Sequence, residues 1–319
     1  MPILDKPLPE LREYTGINPR PEDFDGYWER GLKEMRETDP AVQVTPAEFQ
    51  APFAECCDMF FTGVGGSRVY AKLLRPRESG EPGPALLKFH GYTGASGDWV
   101  ALLPYAAAGF TVAAMDCRGQ GGRSEDRGLV GGNTHKGHII RGLADGPEKL
   151  YYRAVFLDTA MLAGIVAGMP GVDPSRMGAA GSSQGGALTL ACAALVPELR
   201  RAAAGCPFLS DYRRVWDMDL GGRAYEELGE FFKKFDPLHE REEEIFTTLG
   251  YIDVQHLAPR IKADVRVYTA LRDDICPPST QFAAYNRLTS AKEMRLYPDF
   301  GHGVYPGQPD DVFEFMTGM

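Results

Sequence analysis

The most restrictive feature of the sequence is GSSQGG, residues 181–186, in which glycines stand on both sides of two serines. The apolar segment before it is typical of a buried strand, and the segment that begins at Gln184 is typical of a buried helix. The motif matches G-x-S-x-G with Ser183 at its centre, in the strand-turn-helix context that gives this pattern its meaning. The turn is so tight that small residues are required at two flanking positions, occupied here by Gly181 and Gly185. The sequence therefore predicts an α/β fold that displays Ser183 at the end of a strand.

A glycine-rich turn whose serine caps the following helix would contain the same five residues. The strand and helix around the motif favour a catalytic serine, because the helix N-terminus directs free amides and partial positive charge at the site. Ser182 is a competing nucleophile, but it occupies the variable position of the pattern. We therefore favour Ser183 as the nucleophile.

Short apolar segments alternate with helical segments along most of the chain, which predicts a mostly parallel sheet with helices on both faces. Strands are predicted at 53–63, 67–76, 85–91, 111–116, 176–181, 201–206, 264–270 and 293–298. Helices are predicted at 99–108, 151–167, 184–196 and 280–288. The first two strands are separated by VGG, which favours a hairpin at an antiparallel edge of the sheet.

No segment has the composition of a linker between domains, so we predict a single domain over residues 1–319. Residues 1–52 are interpreted as an N-terminal arm, in which apolar residues spaced by three or four predict a helix between Pro21 and Pro40. The connection at 207–263 is longer than a crossover between parallel strands requires. Its aromatic and charged residues predict a partly helical insertion near the mouth of the active site.

The chain carries 34 basic and 44 acidic side chains, and this formal charge of −10 argues against nucleic acid or an anionic membrane as a partner. The start, MPILDKPLPELREYTG, has acids and prolines where a secretory signal has a basic segment and an apolar run. The apolar stretches are shorter than the roughly 20 residues that cross a bilayer. We therefore expect a cytoplasmic protein.

The six cysteines lack C-x-x-C spacing, which favours reduced, buried thiols over a structural zinc site.

A serine nucleophile needs a base, and the base needs an acid that orients it. In hydrolases with this turn the chain order is serine, acid, histidine. His302 follows the last predicted strand in a glycine-flanked loop, so we favour it as the base. His239 and His256 lie in the insertion and are interpreted as surface or packing residues. The loop RDDICPP offers Asp273 and Asp274 as the acid, and position alone does not choose between them.

The oxyanion that forms during acyl transfer needs two preorganised amide donors. One is expected from the backbone N–H of Gln184, directly after the nucleophile. The other is expected from Tyr92 in the loop HGYTGAS, which follows a predicted strand. His90 begins this loop, and we interpret it as a residue that shapes the loop.

Five segments of the sequence are similar to a known family: HGYTG, DCRGQGGRSED, GSSQGG, LRDDICPPSTQFAAYN and GHGVYPG. They resemble the acetyl xylan esterases and cephalosporin-C deacetylases of carbohydrate esterase family seven, which have the α/β-hydrolase fold. GNTHKGHIIRG and YYRAVFLDTA extend the resemblance over most of the chain.

The resemblance assigns five residues to catalysis: Ser183 as nucleophile, Asp273 as acid, His302 as base, and Tyr92 and Gln184 as oxyanion-hole amides. It chooses Asp273 over Asp274, because the family's acid is followed by one variable residue and then the isoleucine of ICPP.

The resemblance also assigns structural support of the site to Arg118, Gly119 and Gln120. Considered without the family, RGQGG is a turn with a surface arginine. One position departs from the family, which usually has glutamate directly after the catalytic histidine, where this chain has Gly303. A hydrogen bond that orders the histidine loop is therefore expected to be missing.

By the same resemblance, the protein is a serine esterase that removes acetyl groups from small substrates such as acetylated xylo-oligosaccharides and cephalosporin C. Two-step acyl transfer by a serine calls for no metal or organic cofactor. The resemblance implies a hexameric assembly. The alternatives are a short-chain carboxylesterase or peptidase of the same fold, and a non-catalytic binding protein that kept the fold.

Overall fold

The computed structural model describes residues 4–77, 80–127, 134–220 and 223–319. Residues 1–3 of the predicted arm, 132–133 of GNTHKGHIIRG and 221–222 of the predicted insertion lie outside this description. The centre of the molecule is a nine-stranded sheet. Its strands are β1 Gln43–Pro46, β2 Ala54–Thr62, β3 Arg68–Pro76, β4 Gly83–Phe89, β5 Thr111–Met115, β6 Val172–Ser182, β7 Arg201–Gly205, β8 Asp264–Ala270 and β9 Lys292–Tyr297.

The strand order is β1-β2-β3-β5-β4-β6-β7-β8-β9. β1, β2 and β3 pair antiparallel, and β3 joins β5 antiparallel. From β5 to β9 every neighbouring pair is parallel. The α/β prediction and the antiparallel edge are therefore confirmed, and all eight predicted strands are present. β1 was not predicted, because its four residues QVTP are all exposed and show no alternation of apolar and polar side chains.

Helices cover both faces of the sheet, as the alternating pattern predicts. They are α1 Leu8–Leu11, α2 Phe24–Glu37, α3 Leu103–Ala107, α4 Tyr151–Ala167, α5 Gln184–Leu195, α6 Tyr212–Asp217, α7 Glu226–Phe235, α8 Glu242–Leu249, α9 Val254–Leu257, α10 Pro278–Arg287 and α11 Gln308–Thr317. One hydrophobic cluster joins α2, α4, α5 and the helices between β7 and β8. A second cluster joins α3 and α11 to the opposite face.

The arm and the insertion between β7 and β8 pack against each other. Trp28 of α2 is fully buried, stacks on Phe156 of α4 and donates its indole N–H to the Tyr251 carbonyl at 3.1 Å. The buried carboxylate of Asp211 accepts hydrogen bonds from the arm, including one from the amide of Asn18 at 2.8 Å. The arm therefore covers the face of the molecule that carries the insertion.

All six cysteines are buried, which confirms the predicted burial, and each is a free thiol in the structure. In the part of the chain that the structure describes, no helix combines the length and apolar character needed to span a bilayer.

Candidate active site

The turn between β6 and α5 holds Ser183 in a strained backbone conformation, with φ +58° and ψ −121°. A Cβ atom on Gly185 would lie 2.1 Å from the carbonyl oxygen of Phe89, at the end of β4. A Cβ atom on Gly181 would lie 2.5 Å from the carbonyl oxygen of Gly185. Both distances are far below van der Waals contact, so the two glycines are required by close backbone approach. The sequence-based expectation for these positions is confirmed, and a positive φ at a serine is typical of a functional site.

The loop after β8 holds Asp273, whose carboxylate is fully buried. Its Oδ1 accepts hydrogen bonds from the amides of Ile275 at 3.0 Å and Cys276 at 2.8 Å. Its Oδ2 accepts from Gln281 Nε2 at 3.2 Å and from His302 Nδ1 at 2.8 Å. The structure therefore brings Asp273 and His302 together, and the carboxylate favours the tautomer of His302 that carries its proton on Nδ1. Asp274, the other candidate acid, is exposed.

His302 lies in the loop after β9, and its side chain is 16% exposed. Burial lowers the pKa of this imidazole, but the hydrogen bond to Asp273 and the neighbouring thiols of Cys206 and Cys276 outweigh burial and raise it. Neither cysteine is predicted from sequence as a residue of the site, because the apolar context of both indicates core packing. Their positions directly after β7 and within ICPP were the available signal, since active-site loops follow the carboxyl ends of parallel strands.

Cys206 adds a third group that can bind metals. Its sulfur, an Asp273 oxygen and a His302 nitrogen lie within 4.8 Å of one another. Thiolate, carboxylate and imidazole are all zinc ligands. Asp273 and His302 are already hydrogen-bonded to each other, so an ion here would have to break that bond.

Ser183 and His302 are not hydrogen-bonded in the described part of the chain. The missing contact is between the serine Oγ and the histidine Nε2. Catalytic hydrogen bonds are often open in unliganded enzymes and close when substrate binds.

The loop after β4 carries Tyr92, and its shape is fixed by side chains around it. His90 Nδ1 donates to the Gly91 carbonyl at 2.7 Å, and His90 Nε2 accepts from the Cys117 amide at 2.9 Å. The Thr93 amide donates to Gln120 Oε1 at 2.9 Å. No backbone hydrogen bond uses the Tyr92 N–H among the described residues. This amide is therefore available to a ligand.

Gln184 is the first residue of α5, where a backbone N–H has no partner within the helix. Its buried side chain accepts at Oε1 from Tyr152 OH at 2.8 Å and from Gln120 Nε2 at 2.8 Å. Gln120 thus contacts both segments that carry the candidate oxyanion amides, at Thr93 and at Gln184.

Arg118 is not the surface residue that its turn alone would indicate. Its guanidinium is buried and makes a two-pronged ion pair with the buried carboxylate of Asp158 in α4, with Nε to Oδ2 at 2.7 Å. It also donates to the Val64 carbonyl at 3.0 Å. Gly119 has φ +65°, a conformation that glycine adopts without strain. The RGQ segment therefore connects α4 and the edge of the sheet to the loop that supports the site.

The remaining histidines of the insertion lie away from this arrangement. His239 is partly exposed, stacks on Phe232 and hydrogen-bonds Glu242. His256 is buried, packs edge-on against Phe24 and hydrogen-bonds the Pro19 carbonyl at 3.2 Å. Surface and packing positions match the interpretation from sequence.

Gly303 leaves an open space beside His302. A Cβ atom at this position would meet nothing within 4 Å. The backbone therefore offers room for the glutamate that the family usually has there.

A parallel sheet that ends in a strained serine turn, followed along the chain by an acid loop and a histidine loop, is typical of the α/β-hydrolases. Solved structures of low identity agree on this fold; Pyrococcus horikoshii acylaminoacyl peptidase superposes with a TM-score of 0.57 at 17% identity, over 83% of this chain and 40% of that one. The chain belongs to the acetyl xylan esterase family, whose model, described as acetyl xylan esterase (AXE1), matches residues 1–319.

Two solved structures are similar over nearly the whole chain. Acetyl xylan esterase 1 from Thermoanaerobacterium sp. JW/SL YS485 is 56% identical with a TM-score of 0.96, over 98% of this chain and 99% of that one. The acetyl xylan esterase from Paenibacillus sp. R4 is 34% identical with a TM-score of 0.92, again over 98% and 99%. A curated relative, the acetyl esterase Axe7A of Xylanibacter ruminicola, is 26% identical over 90% of this chain. The chain spans 64% of the length of that relative.

Proposed function

We propose that the protein is a serine esterase that removes acetyl groups from small acetylated substrates, with Ser183 as nucleophile, His302 as base and Asp273 as the acid that orients it. The hydrogen bond between Asp273 and His302, in the same chain as a strained serine turn, carries this proposal. Membership of the acetyl xylan esterase family supports it.

The reaction takes two steps. Ser183 Oγ attacks the acetyl carbon while its proton moves to His302 Nε2, and the resulting imidazolium is stabilised by Asp273. The carbon–oxygen bond to the alcohol then breaks, and His302 gives its proton to the departing oxygen. A water molecule repeats the attack on the acetyl-serine, again losing its proton to His302. Acetate leaves, and the proton returns to Ser183.

The amides of Tyr92 and Gln184 are proposed to bind the oxyanion in both steps. Donors aimed at the developing charge supply a large share of the catalysis in acyl transfer, and removing one costs about 100- to 1,000-fold in rate. The loop contacts of His90 and Gln120 support this role, because they hold the Tyr92 segment before substrate arrives.

The proposed substrates are acetylated xylo-oligosaccharides and the acetyl group of cephalosporin C. A cavity of about 600 Å³ lies beside the proposed site: its lining includes Gly91, Ser182 and Val304, but not Ser183 or His302. Cavities of roughly 300 to 1,000 Å³ are usual for sites that bind small molecules.

We propose a cytoplasmic location for this protein. A cytoplasmic enzyme would meet short oligosaccharides rather than polymeric xylan.

A hexamer is proposed for the assembled protein. Exposed apolar side chains on and beside the edge strand β1 support self-association: Val42, Val44, Phe49 and Phe53. Unpaired strand edges and clustered apolar side chains are typical of interaction surfaces. Light scattering on the purified chain tests the assembly, and a monomer at micromolar concentration would contradict it.

Replacement of Ser183 by alanine tests the nucleophile. We expect Ser183→Ala to lower kcat for nitrophenyl acetate by about a millionfold, as the loss of a triad serine does elsewhere. Ser182→Ala is the matched control and should keep activity within about threefold. Near wild-type activity in Ser183→Ala would exclude this nucleophile.

The choice of acid is tested by asparagine variants. Asp273→Asn should lower kcat by about 10,000-fold, far more than Asp274→Asn does.

A series of nitrophenyl esters tests the acyl group. An acetyl esterase should hydrolyse the acetate faster than the butyrate and the octanoate, because its acyl pocket accommodates two carbons. Preference for octanoate would favour the alternative carboxylesterase. No hydrolysis of any ester, in a folded protein, would favour a binding protein that kept the fold.

A further inference from the structure

The insertion reaches the oxyanion loop through one carboxylate, that of Glu227 in the first turn of α7. Glu227 is 5% exposed. Its Oε1 accepts a hydrogen bond from the phenol of Tyr92. Its Oε2 accepts from the amides of Ile139 at 2.8 Å and Ile140 at 3.2 Å. Glu227 therefore links three segments that are far apart in the sequence: the insertion, the loop after β4 and the segment before α4.

Burial is costly for this carboxyl. Burial raises the pKa of Glu227. The hydrogen bonds from Tyr92 and the two amides lower it, but burial has the larger effect. No ion pair to Glu227 is found within the described ranges. A buried acid without a counter-ion is retained at the expense of stability, so a function for its contacts is expected.

The contact matters because of where Tyr92 lies. Its backbone N–H is the proposed oxyanion donor, while its ring extends away to Glu227. The ring packs between His138, at 5.3 Å edge to face, and Phe208, at 5.6 Å. The next residue, Thr93, has φ +61°. The direction of the Tyr92 amide therefore depends on contacts that hold this loop, both at the Tyr92 side chain and at the neighbouring backbone amides.

We infer that Glu227 is a positioning residue: by holding the phenol of Tyr92, it keeps the Tyr92 amide directed at the oxyanion. The insertion thereby takes part in transition-state stabilisation. This inference rests on the proposed esterase function. A displacement of about 1 Å in a reacting geometry can cost about 100-fold in rate, so loss of the contact should lower kcat by about 10- to 100-fold.

Two single variants remove the contact from opposite sides. Glu227→Ala removes the carboxylate. Tyr92→Phe removes the phenol oxygen, and with it the hydrogen bond from the His138 amide at 3.3 Å, while it keeps the ring and the Tyr92 amide. Both should lower kcat by about 10- to 100-fold with KM changed less than threefold. The double variant should be no slower than the slower single variant, since residues that act through one contact are not additive.

Two further variants calibrate the effect. Glu227→Gln should retain most of the rate, because its amide oxygen can accept from Ile139 and Ile140 while its NH₂ group donates to Tyr92. Glu226→Gln is the matched control, since Glu226 is partly exposed and pairs with Lys136. We expect it to keep wild-type kcat.

A boronic acid that forms a tetrahedral adduct with serine separates positioning from stability. Its Ki should rise in the Glu227→Ala and Tyr92→Phe variants by about the factor by which kcat falls, while thermal unfolding of Tyr92→Phe stays near that of the wild type. If Glu227→Ala does not fold, Tyr92→Phe alone decides, because it leaves the amide contacts of Glu227 in place.

The outcomes are distinguishable. A folded wild-type protein without esterase activity overturns the proposed function. An active wild type with unchanged kcat in folded Tyr92→Phe and Glu227→Ala overturns the role of Glu227 alone. Losses that multiply in the double variant also overturn it, because the two groups would then act independently.

Discussion

The imidazole of His302 is surrounded by groups that favour its charged form. Although burial opposes that form, the Asp273 carboxylate and the thiols of Cys206 and Cys276 raise the pKa of His302 above its usual range. A raised pKa strengthens the base but also means that the neutral form is present only at higher pH. The two effects appear in different measurements, the limiting rate and the pH profile.

We expect the acid limb of kcat/KM to lie above pH 6.5, the ordinary histidine value. Activity should rise with pH, because His302 must lose its proton before it can accept one from Ser183. The measurement is kcat/KM for an acetyl ester between pH 5 and 10 at constant ionic strength. An acid limb below pH 6 would contradict the raised pKa or the assignment of His302 as base.

The turn from β6 into α5 is the element that depends most on glycine. Gly185→Ala would place Cβ 2.1 Å from the Phe89 carbonyl oxygen, so the strand and helix would have to separate. We expect a loss of about 3 kcal/mol in the free energy of unfolding, at the upper end for overpacking, together with lost activity. Denaturant unfolding measures it.

Gly164→Ala is the matched control for this substitution. Gly164 lies inside α4, and a Cβ atom there would meet nothing within 4 Å. Alanine should therefore stabilise the protein by about 0.5 to 1 kcal/mol, since it favours the helix. Equal stability of the two variants would contradict the geometry of the turn.

Elements with strong periodicity were predictable from sequence, and so were their loops. The helix 151–167 was predicted with its observed bounds, and the strands ended where the chemistry-bearing loops begin. The positions of Ser183 and His302 in the fold followed from that alternation. The short edge strand β1 and the C-terminal helix α11 were missed; β1 carries no alternating pattern, and α11 begins with the turn-forming sequence GQPDD.

Contacts between distant segments were not predictable in the same way. Glu227 is one of several acids in a charged helix, and nothing in its local sequence marks it as buried. Its role depends on the fold that brings α7 to Tyr92. The buried ion pair of Arg118 with Asp158 is a similar case, because the two residues are 40 positions apart. Single-sequence patterns describe neighbours along the chain, not such pairs.

At the scale of the whole molecule, two buried histidines connect separate parts of the chain and make the fold sensitive to acid. Burial, followed by the nearby arginine charges, lowers the pKa of His138 and of His256 to about 4. The Nδ1 atom of each ring is buried without a hydrogen-bond partner among the described residues, so an added proton would have no acceptor. Both rings are therefore neutral in the folded protein at pH 7.

The folded protein should lose stability as the pH falls from about 6.5 to about 4. In this range the unfolded chain, with histidine pKa values near 6.5, binds protons that the folded chain does not. Each histidine then lowers the free energy of unfolding by about 1.4 kcal/mol per pH unit, and the loss ends below about pH 4. Urea unfolding at half-unit steps of pH measures the slope of the free energy of unfolding against pH.

Glutamine variants identify the groups responsible. His138→Gln and His256→Gln should each reduce this slope by the contribution of about one proton, about 1.4 kcal/mol per pH unit. His239→Gln, at a partly exposed ring, serves as the control. A slope that both buried variants leave unchanged would mean that these histidines take up protons in the folded state.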